Sequence, residues 1–292
     1  MTESATSVTF LGLGAMGTAL AGAALDGRRV TVWNRTPNRM QGLVDRGAVG
    51  SATVRDAVSE GGPVVVCLYD HASVKETLQP VADALHGRTV INLTTTTPEE
   101  ARELASWAAD QNIAYLDGAI MAVPQMIGTP DAQVFYSGSR EVFDAHHDLL
   151  DQWAASSFEA TDPGLASLLD LAMLSGMYSM FAGFLHGVAM IQPAGITAAG
   201  FAERTAPFLA AMTTSFASTA TVLDSRDYSD PPQSLDWTLA ALKTISRASR
   251  EQDVLPAAID LISTLAEQQI NAGHGADDFN RIIEAMRTSP NH

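Results

Sequence analysis

The chain has 292 residues, 46% of them hydrophobic and 17% charged, a folded, core-rich composition comfortable for two domains. A net charge of −16 argues against a nucleic-acid partner and against an anionic membrane surface, both of which need a positive face. It reads instead as a solvated acidic exterior. The single cysteine, Cys67, rules out an internal disulfide and fits a reduced, cytoplasmic compartment. The opening MTESATS lacks the basic and apolar regions of a signal peptide.

The first half alternates apolar runs with helical segments. SVTFLGLG is a predicted strand entering a glycine turn, and GTALAGAALDG a helix stopped by Gly27. RVTVWNR is a second strand and NRMQGLVDRG a helix. PVVVCLYD, RTVINLT and IAYLDGAI continue as strands, with SVKETLQPVADALHG and TPEEARELASWAADQ as the helices between them. DAQVFYSG adds a strand near the end of the sheet. This alternation predicts a parallel, doubly wound sheet of the Rossmann type over residues 1–162. After about Phe158 the strand signal stops, and residues 163–292 read as an all-helical domain.

That second domain opens with one long apolar helix over about 164–191, ended by Pro193. At the usual rise it is about 42 Å long, more than one small domain needs, so part of it is expected to pack on a second subunit. Leu171 to Ile191 holds no formal charge and is long enough to span a bilayer. No Lys or Arg lies between Arg140 and Arg204, however, so the basic flank of a membrane helix is missing. A buried helix shared between domains or subunits is the better reading, with no membrane partner.

Gly12, Gly14 and Gly17 form G-x-G-x-x-G between the first strand and the first helix. The first glycine permits the tight turn, the second lets a pyrophosphate approach the backbone, and the third lets the helix pack close. Leu13, Ala15 and Met16 complete the turn, whose helix N-terminus offers backbone N–H groups to phosphates. The second strand ends Asn34-Arg35-Thr36-Pro37-Asn38-Arg39, with no acid to hold ribose hydroxyls. Arg35 and Arg39 offer planar forks to a 2′-phosphate, Thr36 a hydroxyl, and Asn34 an amide, so NADPH is the expected cofactor. Leu68 and Tyr69, after the third strand, are assigned to the same site. Asn92, Thr94, Thr95 and Thr96 follow RTVINL at the carboxyl end of the sheet, where α/β ligands bind. Of these, Asn92, Thr94 and Thr96 are assigned to the nicotinamide end. No metal ligand is assigned.

Asp170 sits on the long helix with no Lys, Arg or His within a turn. As a first-turn acid it would only complement the helix dipole; its apolar setting points equally to chemistry. Leu174, Met177 and Phe181 lie within about 40° of it on the helix, while Tyr178 is turned about 80° away and lies about 12 Å further along the axis. Asp170 and Tyr178 therefore cannot bond directly but could bracket a small ligand.

GLGxMG followed by a long interdomain helix resembles the β-hydroxyacid dehydrogenase superfamily. Its hydroxyacid dehydrogenase branch carries G-x-x-x-K-x-x-N on that helix, with a catalytic lysine. Here the stretch departs from that pattern: Asp170 stands where the lysine is expected, and Leu174 replaces the asparagine. WNRT, NLTTTTP, LDGAIMAVPQMIGTP and DLAMLSGMY instead resemble the imine reductases and related reductive aminases, nearly end to end. The resemblance implies NADPH-dependent reduction of C=N bonds of cyclic imines or iminium ions in a domain-swapped homodimer, its active site shared between subunits. It also implies that Asp170 donates the proton or stabilises the iminium, with Tyr178 as second polar group, and that aspartate there tends to accompany R-selectivity. Hydride delivery to a neutral imine leaves charge on nitrogen. A carboxyl raised by an apolar cleft can meet it with a proton, and an ionised one can pair with an iminium. Ile120, Met121 and Val123 are expected to line the substrate pocket with Leu174, Met177 and Phe181, and Trp237 to close it from the partner chain. Two other readings stay open here: a 3-hydroxyacid dehydrogenase of the same superfamily, and a non-catalytic NADP(H)-binding sensor.

Overall fold

Runs of Val, Ile and Leu become the inner strands of a sheet covered on both faces, where most positions are apolar. The computed structural model describes residues 6–287. Its first part runs β1 (Ser7–Leu11), α1 (Ala15–Ala24), β2 (Arg29–Trp33), α2 (Gln41–Val44), β3 (Val49–Gly50), α3 (Val54–Ser59) and β4 (Val64–Val66). It continues with α4 (His71–Leu78), α5 (Ala82–Leu85), β5 (Thr89–Asn92), α6 (Pro98–Asp110), β6 (Ala114–Met121), β7 (Gln133–Gly138), α7 (Arg140–Leu150) and β8 (Ala155–Ala160). The strand order is β3-β2-β1-β4-β5-β6-β7-β8, so strands are added outward on one side of β1 up to β3 and on its other side from β4 on, with the switch point between β1 and β4 beside the glycine turn. Strand alternation splits the core in two: Phe10, Val65 and Ile91 pack on one face, Leu11, Val66 and Val90 on the other. Trp153 closes the first layer edge-on against Phe10, and its indole N–H donates to the Leu20 carbonyl at 3.2 Å.

The sheet departs from the expected all-parallel form at one place, where β6 and β7 are antiparallel. A parallel return needs a crossover of a dozen residues or more, usually a helix. Residues 122–132 carry only the 3-10 turn Pro124–Met126. The return of β7 to β8 does have such a helix, α7, and is parallel.

Helix starts follow side-chain capping. Thr97 and Glu100 form a reciprocal capping box at α6 with Pro98 in its first turn, and Asp70 caps α4 through the Ser73 N–H. The second part holds α8 (Gly164–Ile191), α9 (Ala198–Met212), α10 (Phe216–Ser225), α11 (Leu235–Glu251), α12 (Ala257–Gln269) and α13 (Ile283–Met286). α8 has the expected bounds, and Gly195 follows it in a left-handed conformation at φ +79°. The chain divides into two compact units between Ser175 and Gly176, inside α8. In the second unit α11 and α12 enclose a small core of Leu235, Ala266 and Ile282. Two segments, Gly164–Ala194 and Ala198–Ser225, are long and apolar enough to cross a membrane by length and composition, the second not anticipated above.

Candidate active site

The glycine turn is shaped by backbone contacts that leave no room for side chains at two of its three glycines. Gly12 has φ +98°, and a Cβ there would lie 2.2 Å from the Cys67 carbonyl oxygen. A Cβ on Gly17 would lie 2.1 Å from the Gly12 carbonyl oxygen. Gly14 differs: an added Cβ would meet nothing within 4 Å. It faces a cavity of about 410 Å³.

This cavity gathers Gly12 to Gly17, then Asn34, Arg35, Thr36 and Arg39, then Leu68 and Tyr69, all assigned together from sequence. The Asn34 side chain is spent on scaffolding: its oxygen accepts from the Leu13 N–H at 2.9 Å and its amide donates to the Thr36 carbonyl at 3.0 Å. That bridge ties the glycine turn to the end of β2. Tyr69 stands 90% exposed at the rim. Trp33, Cys67, Ser73, Glu76 and Thr77 also line the cavity and were not assigned to it from the sequence. Ser73, Glu76 and Thr77 have i, i+3, i+4 spacing, one face of α4, which is the signal that could have found them. Burial pushes the Cys67 thiol up to about 11 despite a hydrogen bond from the Gly17 backbone, so it is an inert wall rather than a nucleophile. Hydrogen bonds from Ser73 hold the Asp70 carboxyl below its ordinary range, with the nearby Arg35 charge adding to the effect.

Open space over Gly14, two arginines beyond β2 and no acid at the strand end suit a dinucleotide carrying a 2′-phosphate. When bound, NADPH supplies the hydride.

Asn92, Thr94 and Thr96 do not line that cavity; all three are buried beside it. The Leu68 N–H donates to Thr94 Oγ1 at 3.0 Å, the Thr94 N–H to Asn92 Oδ1 at 3.3 Å, and Asn92 Nδ2 to Asp117 Oδ1 at 3.3 Å. Asp117 also accepts from the Tyr115 hydroxyl at 2.9 Å and, on its other oxygen, from the Ser167 hydroxyl at 2.9 Å. Ser167 Oγ lies 3.1 Å from Thr96 Oγ1. Asp117, 1% exposed on β6, was given no role from sequence.

Asp170 lies one turn beyond Ser167 on α8, 4% exposed. Burial raises its carboxyl to about 6, against a hydrogen bond with the Thr95 side chain. Burial likewise raises Asp117 to about 7, opposed by its three donors and reinforced by the Asp170 charge. The folded chain thus holds protons that an unfolded one would release. The associated stability is complete below about pH 4 and is lost as pH rises through about 7.

The start of α8 is clamped to the sheet. Arg102 on α6 forks onto Asp162 at 2.7 and 2.9 Å, and Asp162 accepts from the Gly164 N–H at 3.0 Å. The Arg102 fork drives Asp162 down to about 2. Ser137 Oγ donates to the Pro163 carbonyl at 2.9 Å and accepts from the Ala166 N–H at 3.0 Å.

Of the residues expected around the substrate, Ile120 is half-buried against the sheet core, Met121 and Leu174 are half-buried, and Val123 is exposed. Within the second unit Met177 and Phe181 are exposed, Tyr178 is 65% exposed and Trp237 61%. Among the described residues no cluster of metal-ligating side chains occurs.

A Rossmann sheet with its glycine-turn cavity, continued by a helical region, defines a dinucleotide-dependent oxidoreductase. Residues 7–161 match the NAD binding domain of 6-phosphogluconate dehydrogenase, and residues 162–288 match the C-terminal domain of NADPH-dependent reductive aminase-like proteins. The chain is 40% identical to the NADPH-dependent reductive aminase of Aspergillus oryzae over 97% of its length and 98% of that protein. A reductive aminase from Aspergillus terreus, in complex with NADPH and ethyl levulinate, superposes with a TM-score of 0.94 at 39% identity, covering 97% of this chain and all of that one. An imine reductase from Myxococcus stipitatus in complex with NADP+ gives a TM-score of 0.90 at 32% identity over 96% of this chain and all of that one. The chain belongs to the family of NADPH-dependent reductive aminases and imine reductases, oxidoreductases acting on C=N bonds. A 3-hydroxyisobutyrate dehydrogenase from Pseudomonas aeruginosa is a more remote relative, 28% identical over 68% of each chain. The dehydrogenase and sensor readings give way to imine reduction.

Proposed function

We propose that the protein reduces cyclic imines or their iminium ions with NADPH, and that Asp170 is its acid. The observation that carries this reading is a carboxyl raised to about 6 on α8, bonded by Thr95 and without a cationic partner among the described residues. Below that pH it holds a proton for the nitrogen, and above it a charge that stabilises an iminium. Tyr178 is the second polar contact. Ile120, Met121, Val123, Leu174, Met177 and Phe181 supply an apolar lining, and Trp237 closes it from a partner chain. Residues 1–162 bind the cofactor: the glycine turn takes the pyrophosphate, Arg35, Thr36 and Arg39 the 2′-phosphate, and Leu68 and Tyr69 the adjoining wall. Asn92, Thr94 and Thr96 support the nicotinamide end. The assay follows NADPH absorbance with a pyrroline, beside 3-hydroxy acids with NADP+. Pyrroline-dependent oxidation is expected; turnover of hydroxy acids alone would overturn the reading. In the same assay Arg35→Ala and Arg39→Ala should raise the KM for NADPH about tenfold or more while barely moving that for NADH.

We infer that residues 163–292 form a helical substrate and dimerisation domain, and that the active protein is a cytoplasmic, domain-swapped homodimer. The exposed apolar side chains of α8 and α9, among them Met180, Phe181, Leu185, Phe208 and Met212, support a second copy as their cover. The missing basic flank speaks against lipid. Light scattering should read twice the chain mass without detergent; a monomer at micromolar concentration would sink the inference.

A further inference from the structure

We propose that Glu76 is a specificity-determining residue of the cofactor site: from α4 it accepts a hydrogen bond from the exocyclic amine of the adenine, and so selects adenine dinucleotides over those carrying a 6-oxo purine. The proposal rests on the placing of NADPH in the glycine-turn cavity given above.

The cavity spans three neighbouring strands in the order β2-β1-β4. Its middle is the glycine turn after β1. One flank is the segment after β2 with Arg35 and Arg39, and the other is α4, which follows β4. With the pyrophosphate on the middle and the 2′-phosphate on the β2 flank, the base is the part of the ADP half left for α4. The helix is fixed on its other sides. Val74 and Leu78 are buried in the core, and Lys75 and His71 both reach Glu103 on α6, at 2.5 and 3.2 Å. That orientation turns Ser73, Glu76 and Thr77 to the cavity. Ser73 is committed to Asp70, to which its N–H donates at 2.8 Å. Glu76 is exposed and pairs with no Lys, Arg or His side chain among the described residues. Arg35 and Arg39, in the same cavity, make no ion pair among those residues either. The arginines are thus left for a phosphate, while an unpaired carboxylate stands in a site for a polyanion. Such a group repels the ligand unless a donor faces it, since an ionised carboxylate only accepts. The 6-amine of adenine is that donor. A 6-oxo purine puts an oxygen in the same place, so one side chain favours the first base and rejects the second.

The test compares the Kd of NADPH with that of its hypoxanthine analogue, deamino-NADPH, for wild type, Glu76→Gln and Glu76→Ala. Fluorescence of the reduced nicotinamide, common to both ligands, reports binding without turnover. Glutamine and alanine are good helix formers at an exposed position, so the melting temperature without cofactor should hold. Both variants also remove a negative charge, which favours the two ligands alike and cancels in the ratio of their Kd values. Wild type should bind the analogue about tenfold or more weakly than NADPH. The amide of Glu76→Gln can donate to the 6-oxygen, and Glu76→Ala presents neither donor nor acceptor. Both should bring the ratio to within about threefold. A wild-type ratio near one would overturn the proposal. So would a ratio unmoved in the variants, which would leave Glu76 facing the ribose or solvent. Gly14→Ala, measured alongside, separates the two claims. If it binds NADPH normally, the placing of the cofactor falls; if it binds weakly while the ratio stays fixed, only the role of Glu76 falls.

Discussion

Asp170→Asn should lower kcat for a pyrroline by about 10²- to 10⁴-fold, the span expected when a positioned proton donor is removed. The amide keeps the size of the side chain and can still bond to Thr95, so the melting temperature should hold or rise, a buried acid having been removed. NADPH Kd should stay within about twofold, because Asp170 lies outside the dinucleotide cavity. The decisive quantity is the dependence of the rate on pH. Wild-type kcat should bend near the raised carboxyl pKa of about 6, and the variant's residual rate should not. A variant retaining more than about a tenth of wild-type kcat would show that protons reach the nitrogen from water or substrate alone.

Substitutions in the glycine turn should separate folding from binding. Gly12→Ala must accept φ +98° and a Cβ 2.2 Å from a carbonyl oxygen. Strain of about 1–3 kcal/mol from the dihedral is compounded by a clash with backbone that cannot rotate away. The variant should melt several degrees lower, by about 2–4 °C for each kcal/mol lost, and lose NADPH binding. Gly14→Ala meets no neighbour within 4 Å, and its φ of −66° suits any residue. It should melt like wild type yet bind NADPH about 100-fold more weakly, since its methyl occupies space a pyrophosphate needs. Normal NADPH affinity in Gly14→Ala would remove the phosphates from this turn.

The cofactor half was legible because its signals are local. A strand, three glycines and a helix within one short stretch force the turn, and an acid-free strand end is read directly from Asn34 to Arg39. Features that depend on contacts distant in sequence were not legible. Asp117 meets Asn92 across 25 positions and Ser167 across 50, and neither periodicity nor a motif marks it. Asn92 ends β5 and Thr94 and Thr96 follow it, but their side chains bond inward, to the backbone N–H groups of Leu68 and Thr94 and to the side chains of Asp117 and Ser167. β8, ASSFEA, lacks the β-branched residues that announce a strand and forms by pairing with β7. Likewise the antiparallel turn from β6 to β7 follows from what residues 122–132 lack, a crossover helix, which is harder to read than what a segment contains.

The clamp at the start of α8 has a consequence for how new activities arise on this scaffold. Arg102, Asp162 and Ser137 secure the helix by its first turn, and none of them reaches position 170. On the proposal that Asp170 is the acid, support and chemistry fall to separate side chains. The clamp is thus separable from whatever side chain stands at 170: a change there leaves the bonds of Arg102, Asp162 and Ser137 in place, and its cost is set by how well the new side chain fits a position that is 4% exposed.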